Sequence, residues 1–191
     1  MNNEKVSIPE NLDEDYVIIQ DFIKGNENAF TKLVYRHKEK VKNLIYLTLS
    51  DTEYIDDISQ DVFINVYHKV REFRFESKFT TWLYRITINK CRDYLRKKKV
   101  RSIFTPIKEE EEQIKGGTQI EDFDKMKLLR QAIDKLPDKL KIPLLLRDIE
   151  GFSYNEICEQ LNCEIGTIKS RIFRAREFLR ALLEPYQQDL V

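Results

Sequence analysis

Ser153 and Glu156 stand three residues apart before an apolar run and form a Ser-x-x-Glu capping box, in which each side chain satisfies a backbone donor at a helix start. A helix is therefore predicted from this point, with Ile157 and Leu161 on one side. It ends near Asn162, a residue that tolerates the left-handed conformation of a tight turn. A second helix follows almost at once. Its Ile165, Ile168, Ile172, Ala175, Leu179 and Leu182 recur at three- and four-residue steps, which gathers them into one buried stripe. The opposite face carries Thr167, Lys169, Ser170, Arg171 and Arg174. Two helices joined in this way match a helix-turn-helix, whose second helix enters the major groove. Lys and Arg can there neutralise phosphates or bond guanine edges, and Thr and Ser can reach either bases or phosphates. A solvated helix of a three-helix bundle fits the same pattern, because short motifs also match by chance.

Composition narrows the fold class. Only 5 Gly and 5 Pro among 191 residues argue against a loop-rich or all-β chain, and the long helical spacings favour an all-α fold of one large or two small domains. The formal net charge is +0, so the total does not announce a nucleic-acid binder. Its distribution is more telling: basic clusters at Arg96–Arg101 and Lys169–Arg180 are offset by acidic runs, as two kinds of partner require. Cys91, Cys158 and Cys163 show neither Cys-x-x-Cys nor nearby His spacing, so they read as small buried apolar residues rather than a zinc site or disulfide framework. No metal or other cofactor is expected. The polar start, Met1–Pro9, holds no apolar signal core, and no run approaches a membrane span, which predicts a cytosolic protein without membrane insertion of its own.

Along the chain, a helix is predicted from Asp13 through Tyr16, Ile19, Phe22 and Ile23 to Gly25. Asn26 caps the next, which turns Phe30, Leu33, Val34, Val41, Leu44, Ile45 and Leu49 inward. His37, among Lys and Arg on this helix, reads as a surface or interface residue. A third helix starts near Thr52, with Glu53, Asp56 and Asp57 where negative charge suits the helix dipole, and continues through Ile58, Val62, Val66 and Val70. Asp57, Gln60, Asp61 and Phe63 lie partly off that stripe. Without a facing carboxylate cluster, His or phosphate loop they suit a protein partner better than catalysis.

Phe73, Phe75, Phe79, Trp82 and Tyr84 are interleaved with Arg71, Arg74, Lys78 and Arg85. Phe79, Leu83 and Ile86 share a helical face and read as core. Aromatic rings beside basic groups nevertheless suit single-stranded nucleic acid, and Arg71–Lys78 is a candidate loop for an unstacked base. From Thr80 a helix continues through Asn89, Arg92 and Arg96 with a strongly basic outer face.

Asp57-Ile-Ser-Gln-Asp-Val-Phe63, the run Phe73 to Ile86, Asn89 to Arg96, Leu136-Pro137, Leu144 to Arg147 with Glu150-Gly151, and Ser153 to Ile157 through Gly166 to Arg171 follow one another in an order that resembles the extracytoplasmic-function sigma factors of bacterial RNA polymerase. Gly25, Ala29-Phe30 and Leu33 resemble the start of that family's first domain. The resemblance implies two small helical domains, 13–99 and 123–184, joined by a flexible linker over 100–122. It implies that Asp57, Gln60, Asp61 and Phe63 dock on the β′ coiled coil of core polymerase, with β as a further contact. Phe75, Ser77, Lys78, Thr80, Thr81, Trp82, Arg85, Asn89, Arg92 and Arg96 would capture and open the −10 element. Thr167, Lys169, Ser170, Arg171 and Arg174 would read the −35 element. Double- and single-stranded promoter DNA and an anti-sigma protein are thus the implied partners, and no catalytic activity is implied.

Where the family commonly has Gly, Ala, Gly and Pro, this chain has Phe75, Cys158, Asn162 and Glu164. Pro143 lies inside a helix predicted to begin near Asp138 and should kink or break it. The acidic run Glu109–Glu112 either stands in for nucleic-acid phosphates in the polymerase channel, as the resemblance suggests, or is part of a solvated linker. Two competitors are a stand-alone helix-turn-helix repressor, which needs a dimer surface not apparent here, and a metal-dependent nuclease using Asp56, Asp57 and Asp61.

Overall fold

The computed structural model describes residues 14–49, 52–104 and 122–186, and their regular structure is entirely helical. The order is α1 (Glu14–Ile23), α2 (Glu27–Leu49), α3 (Ile55–Lys69), α4 (Phe79–Phe104), α5 (Asp122–Asp134), α6 (Asp138–Leu144), α7 (Tyr154–Leu161) and α8 (Ile165–Leu183), with short 3-10 turns at Val70–Glu72 and Glu184–Tyr186. The first four helices pack as one unit and the last four as another. α4 runs five residues into the predicted linker. The remainder of that segment, 105–121, with its acidic run, lies outside the described residues, as do the first 13.

Local signals place several boundaries. Gly25 is left-handed, with φ 103°, and Asn26 Oδ1 accepts from the Asn28 N–H at 3.2 Å, capping α2 as predicted. α3 begins at Ile55, three residues later than its acidic lead suggests, with Asp56 and Asp57 in its first turn. The capping box at α7 is complete: the Glu156 N–H donates to Ser153 Oγ at 3.2 Å, and the Ser153 N–H donates to Glu156 Oε2 at 2.8 Å. Asn162 closes the helix in the left-handed region, φ 50°.

The stripes bury Ile19, Phe22, Leu33, Val41, Leu44, Ile45, Val62, Val66, Leu83 and Ile88 in the first unit, and Ile157, Ile168, Ile172 and Ala175 in the second. Several positions depart from expectation: of the three cysteines read as buried only Cys91 is, while Cys158 and Cys163 are half-buried. Ile165 is 43% exposed, because the first residue of α8 projects beyond the helices it packs on. His37 is buried, not superficial: its Nε2 lies 2.8 Å from Asp15 Oδ1 of α1, and its ring meets Phe79 edge-on at 5.3 Å. Arg36 Nε reaches the same carboxylate oxygen at 2.9 Å. Pro143 does not break α6, which continues to Leu144 and then widens into a π-turn over Leu145–Ile149. The Leu145 N–H bonds the Lys141 and Ile142 carbonyls, so helical bonding resumes within two residues of the proline.

Two stability measurements follow. Asp15→Ala leaves a buried imidazole nitrogen without its partner, so urea titration should show a loss of about 2 kcal/mol. Asn162→Val forces a β-branched residue into the left-handed region and should cost about 1–2 kcal/mol in the same titration, whereas Asn162→Gly should be near neutral.

Candidate nucleic-acid interface

The segment from Phe73 to Phe79 is fixed by rings. Phe73 and Phe79 are buried, while Phe75 and Trp82 are half-buried. Phe75 contacts Tyr16 and Phe73, each at 4.7 Å between centroids, and Trp82 lies 5.2 Å from Phe73 and 5.8 Å from Phe79. Much of the aromatic stretch is thus core, and only Phe75 and Trp82 keep ring surface for another molecule. Phe75 has φ 57°, a conformation that glycine adopts without strain. Ser77 and Lys78 are exposed at the loop end, and the Ser77 hydroxyl donates to the Lys78 carbonyl at 3.4 Å.

On α4, Arg85, Asn89, Arg92 and Arg96 recur at helical steps and form one exposed strip, which the half-buried Thr80 and Thr81 adjoin. The structure brings part of this strip against the second unit. The Thr81 hydroxyl donates to Glu156 Oε1 at 3.1 Å, and Arg85 Nη2 donates to the Glu159 carbonyl at 3.3 Å. Tyr84 stacks on Phe152 at 6.0 Å and 21°. Burial pushes the Glu150 carboxyl up, opposed by a hydrogen bond from Tyr84 and by Lys40. For Glu156, burial also pushes upward, but hydrogen bonds from the Ser153 N–H, the Ser153 hydroxyl and the Thr81 hydroxyl, with Lys78 nearby, outweigh it and hold the carboxyl below its ordinary value.

In α8, Thr167, Lys169, Ser170 and Arg174 are exposed. Arg171 is not part of that open face: it is half-buried, with Nη1 3.3 Å from Cys163 Sγ at the turn. Lys169 lies over the Tyr154 ring at 5.6 Å. Phe173, which the sequence reading passed over, is 65% exposed, three residues after Ser170 and next to Arg174. Its signal was an aromatic residue off the buried stripe. An apolar ring on such a face can contact a thymine methyl group.

A separate cleft of about 680 Å³ opens between α2 and α3. Asp57 and Gln60 stand exposed at its rim, with Phe63 buried among its lining residues, beside Phe30, Val34 and the exposed Ile64. Ile64 was also missed, although it too lies off the α3 stripe. Asp61 is exposed and pairs with Lys90 at 3.3 Å, while Asp56 pairs with Lys42 at 2.6 Å. Two of the three carboxylates named for a nuclease are thus each paired with a lysine of another helix, and among the described residues no group of three or more His, Cys, Asp or Glu could hold a metal ion. Among them too, no helix is long and apolar enough to cross a membrane.

Comparison with known proteins bears on both units. The family described as Sigma-70 region 2 matches residues 33–101, and Sigma-70, region 4 matches 126–179. An ECF RNA polymerase sigma-E factor of Haemophilus influenzae is 35% identical over 182 residues, spanning 90% of this chain and 96% of that protein. The RNA polymerase sigma-H factor of Pseudomonas aeruginosa is 33% identical, over 93% and 97% of the two chains. Among solved structures, CnrH in complex with the cytosolic domain of CnrY matches with a TM-score of 0.64 and 25% identity, over 91% of this chain and 99% of that one. The sigma factor RpoE of Bartonella quintana, solved with the anti-sigma factor NepR, matches in fold with a TM-score of 0.69 and 24% identity, over 81% and 96%. With two sigma-70 regions in order and relatives aligned over nearly their full length, this chain belongs to the extracytoplasmic-function sigma factors of RNA polymerase.

Proposed function

We propose that the chain, as the promoter-specificity subunit of RNA polymerase, divides its work among three surfaces, with domains near residues 13–99 and 123–184. The observation that carries this reading is the separation of chemistry on the helices: an acid-rimmed apolar cleft at α2 and α3, an aromatic loop continuing into the basic strip of α4, and a polar, basic face on α8. In this reading Asp57, Gln60, Asp61 and Phe63 dock on the β′ coiled coil, with Ile64 adding apolar area. Phe75, Ser77, Lys78, Thr80, Thr81 and Trp82 capture unstacked −10 bases while Arg85, Asn89, Arg92 and Arg96 follow the backbone. Thr167, Lys169, Ser170 and Arg174 read the −35 duplex, joined by Phe173, with Arg171 released from Cys163 on binding.

Strand opening needs no nucleotide hydrolysis in this scheme. Binding energy for unstacked bases offsets the cost of unpairing, since aromatic stacking contributes about 1–3 kcal/mol per base. The chain would act in the cytoplasm and have no catalysis of its own. The family resemblance supports an anti-sigma protein as a further partner, one that competes for the polymerase-binding surfaces.

Transcription by purified core polymerase on a pool of promoter fragments tests the reading. Transcripts that appear only with this protein and share an upstream motif are expected. Tight duplex binding by the isolated chain, with neither polymerase binding nor transcripts, would instead establish a repressor. Once a promoter is known, Lys169→Ala should weaken promoter binding by the holoenzyme and reduce the salt slope by about one, as loss of one cation facing the duplex requires. Asp57→Ala combined with Gln60→Ala should lower affinity for core polymerase at unchanged thermal stability, read by competition against the wild-type chain.

A further inference from the structure

Where α7 ends, Cys158 and Cys163 occupy the two positions that a Schellman turn sets against each other. Asn162 is the left-handed residue, and the Cys163 N–H donates to the Cys158 carbonyl at 3.1 Å. That bond closes the motif, whose two outer residues commonly touch through their side chains. Here both outer residues carry thiols. A backbone bond of this length also keeps their Cα atoms within the range of roughly 4.4–6.8 Å that a disulfide spans. Both cysteines are half-buried, whereas Cys91 is sealed in the first core. Among the described residues no third His, Cys, Asp or Glu joins the pair in a group that could hold a metal ion, so the two thiols are not built as a metal site.

Cys163 is in direct contact with α8 as well. Its thiol donates to the Leu161 carbonyl at 3.5 Å, and its sulfur accepts from Arg171 Nη1 at 3.3 Å. Among the residues assigned to the −35 element, Arg171 alone is turned inward, and this sulfur is what it turns to. A chemical change at Cys163 therefore acts on the helix that faces the duplex.

We propose that Cys158 and Cys163 are a modification site, a dithiol that a hydroperoxide converts to an intramolecular disulfide, and that the conversion releases Arg171 to the open face of α8. The release rests on the −35 role proposed above; the disulfide does not. With hydrogen peroxide, one sulfur attacks a peroxide oxygen, the O–O bond breaks, and a sulfenic acid and one water form. The second sulfur then attacks the sulfenic sulfur, the S–S bond forms, and the hydroxyl group leaves with the second thiol proton as another water. The two thiols give up two electrons and two protons, and the peroxide takes up both. Rotation about χ1 turns the Cys163 sulfur from Arg171 to Cys158, and the guanidinium loses its acceptor. In a reducing compartment such a pair stays as thiols until an oxidant arrives, and a partly exposed bridge belongs to the labile, regulatory class.

Both cysteines lie on one tryptic peptide, Asp148–Lys169, so the bridge is directly readable. The reduced full chain is treated with hydrogen peroxide, remaining thiols are blocked with iodoacetamide, and the digest is analysed by mass spectrometry. The expected peptide lacks two hydrogens, carries no alkyl group and regains both thiols in dithiothreitol, while Cys91 stays reduced. Cys158→Ser should instead leave Cys163 as a sulfenic acid that dimedone traps. A peptide that still takes up two alkyl groups overturns the proposal, as do bridges between chains or oxidation straight to sulfinic acid. For the release of Arg171, the chain is oxidised, freed of peroxide and then assembled with core polymerase. On a promoter that it transcribes, the salt slope of binding should rise by about one relative to the reduced chain, as one more cation facing the duplex requires, and Arg171→Ala should remove the difference. Equal slopes for oxidised and reduced chains overturn the release. The peptide map needs no DNA, so it decides the disulfide whatever becomes of the sigma reading.

Discussion

Helix α4 is the constraint on which the rest depends, because its 26 residues serve several surfaces at once. Phe79, Leu83, Ile88 and Cys91 must fill the first core, Tyr84 must lie under Phe152, and Arg85, Asn89, Arg92 and Arg96 must stay polar. With 3.6 residues per turn, no single stripe can satisfy all of these. The compromise appears at Thr87, which is fully buried and returns its hydroxyl to the Leu83 carbonyl at 3.0 Å. It appears again at Cys91, whose thiol burial pushes up to about 12, making it a packing group rather than a nucleophile. Whatever docks on α4, the second domain included, meets a helix whose inner face is already fixed.

What was legible in the sequence was local or periodic. The capping box, Asn162, Asn26 and the stripes each depend on a few residues in one helix, and, Ile165 aside, each stands where the spacing put it. What was not legible depends on a partner far along the chain. His37 looked superficial because its helical neighbours are Lys and Arg, but its partner Asp15 lies 22 residues away on α1. Arg171 counted as part of the open α8 face by helical position alone, yet its guanidinium turns back to the Cys163 thiol. The interdomain core was invisible for the same reason: Phe152 and Tyr84 are ordinary members of two separate patterns until the fold stacks them. For the candidate sites, the sequence indicated residue types and helix faces, but not which faces are open in the free chain.

Phe75 shows how such long-range contacts override a local rule. A non-glycine residue in the left-handed region carries a penalty of about 1–2 kcal/mol. Each aromatic pair contributes about 0.5–1.5 kcal/mol beyond area burial, and Phe75 makes two, with Tyr16 and Phe73. The two effects are of similar size, so the ring offsets the strain that its own backbone position imposes. The loop is then held by side-chain packing in addition to backbone freedom. Pro143 is a parallel case: it is buried inside α6, which keeps its helical course to Leu144 and remains a packing surface for α8.

The neutral total charge now has a physical meaning. At physiological ionic strength exposed charges more than about 8 Å apart are largely screened from one another, so the acid-rimmed cleft of α2 and α3 and the basic strip of α4 act independently despite a sum of zero. That independence ends at the cleft of about 1120 Å³ where the cations of α4 stand opposite Lys139 and Arg171 of the second domain. Salt relieves this repulsion. Salt also weakens phosphate contacts directly, by reducing the gain from counterion release.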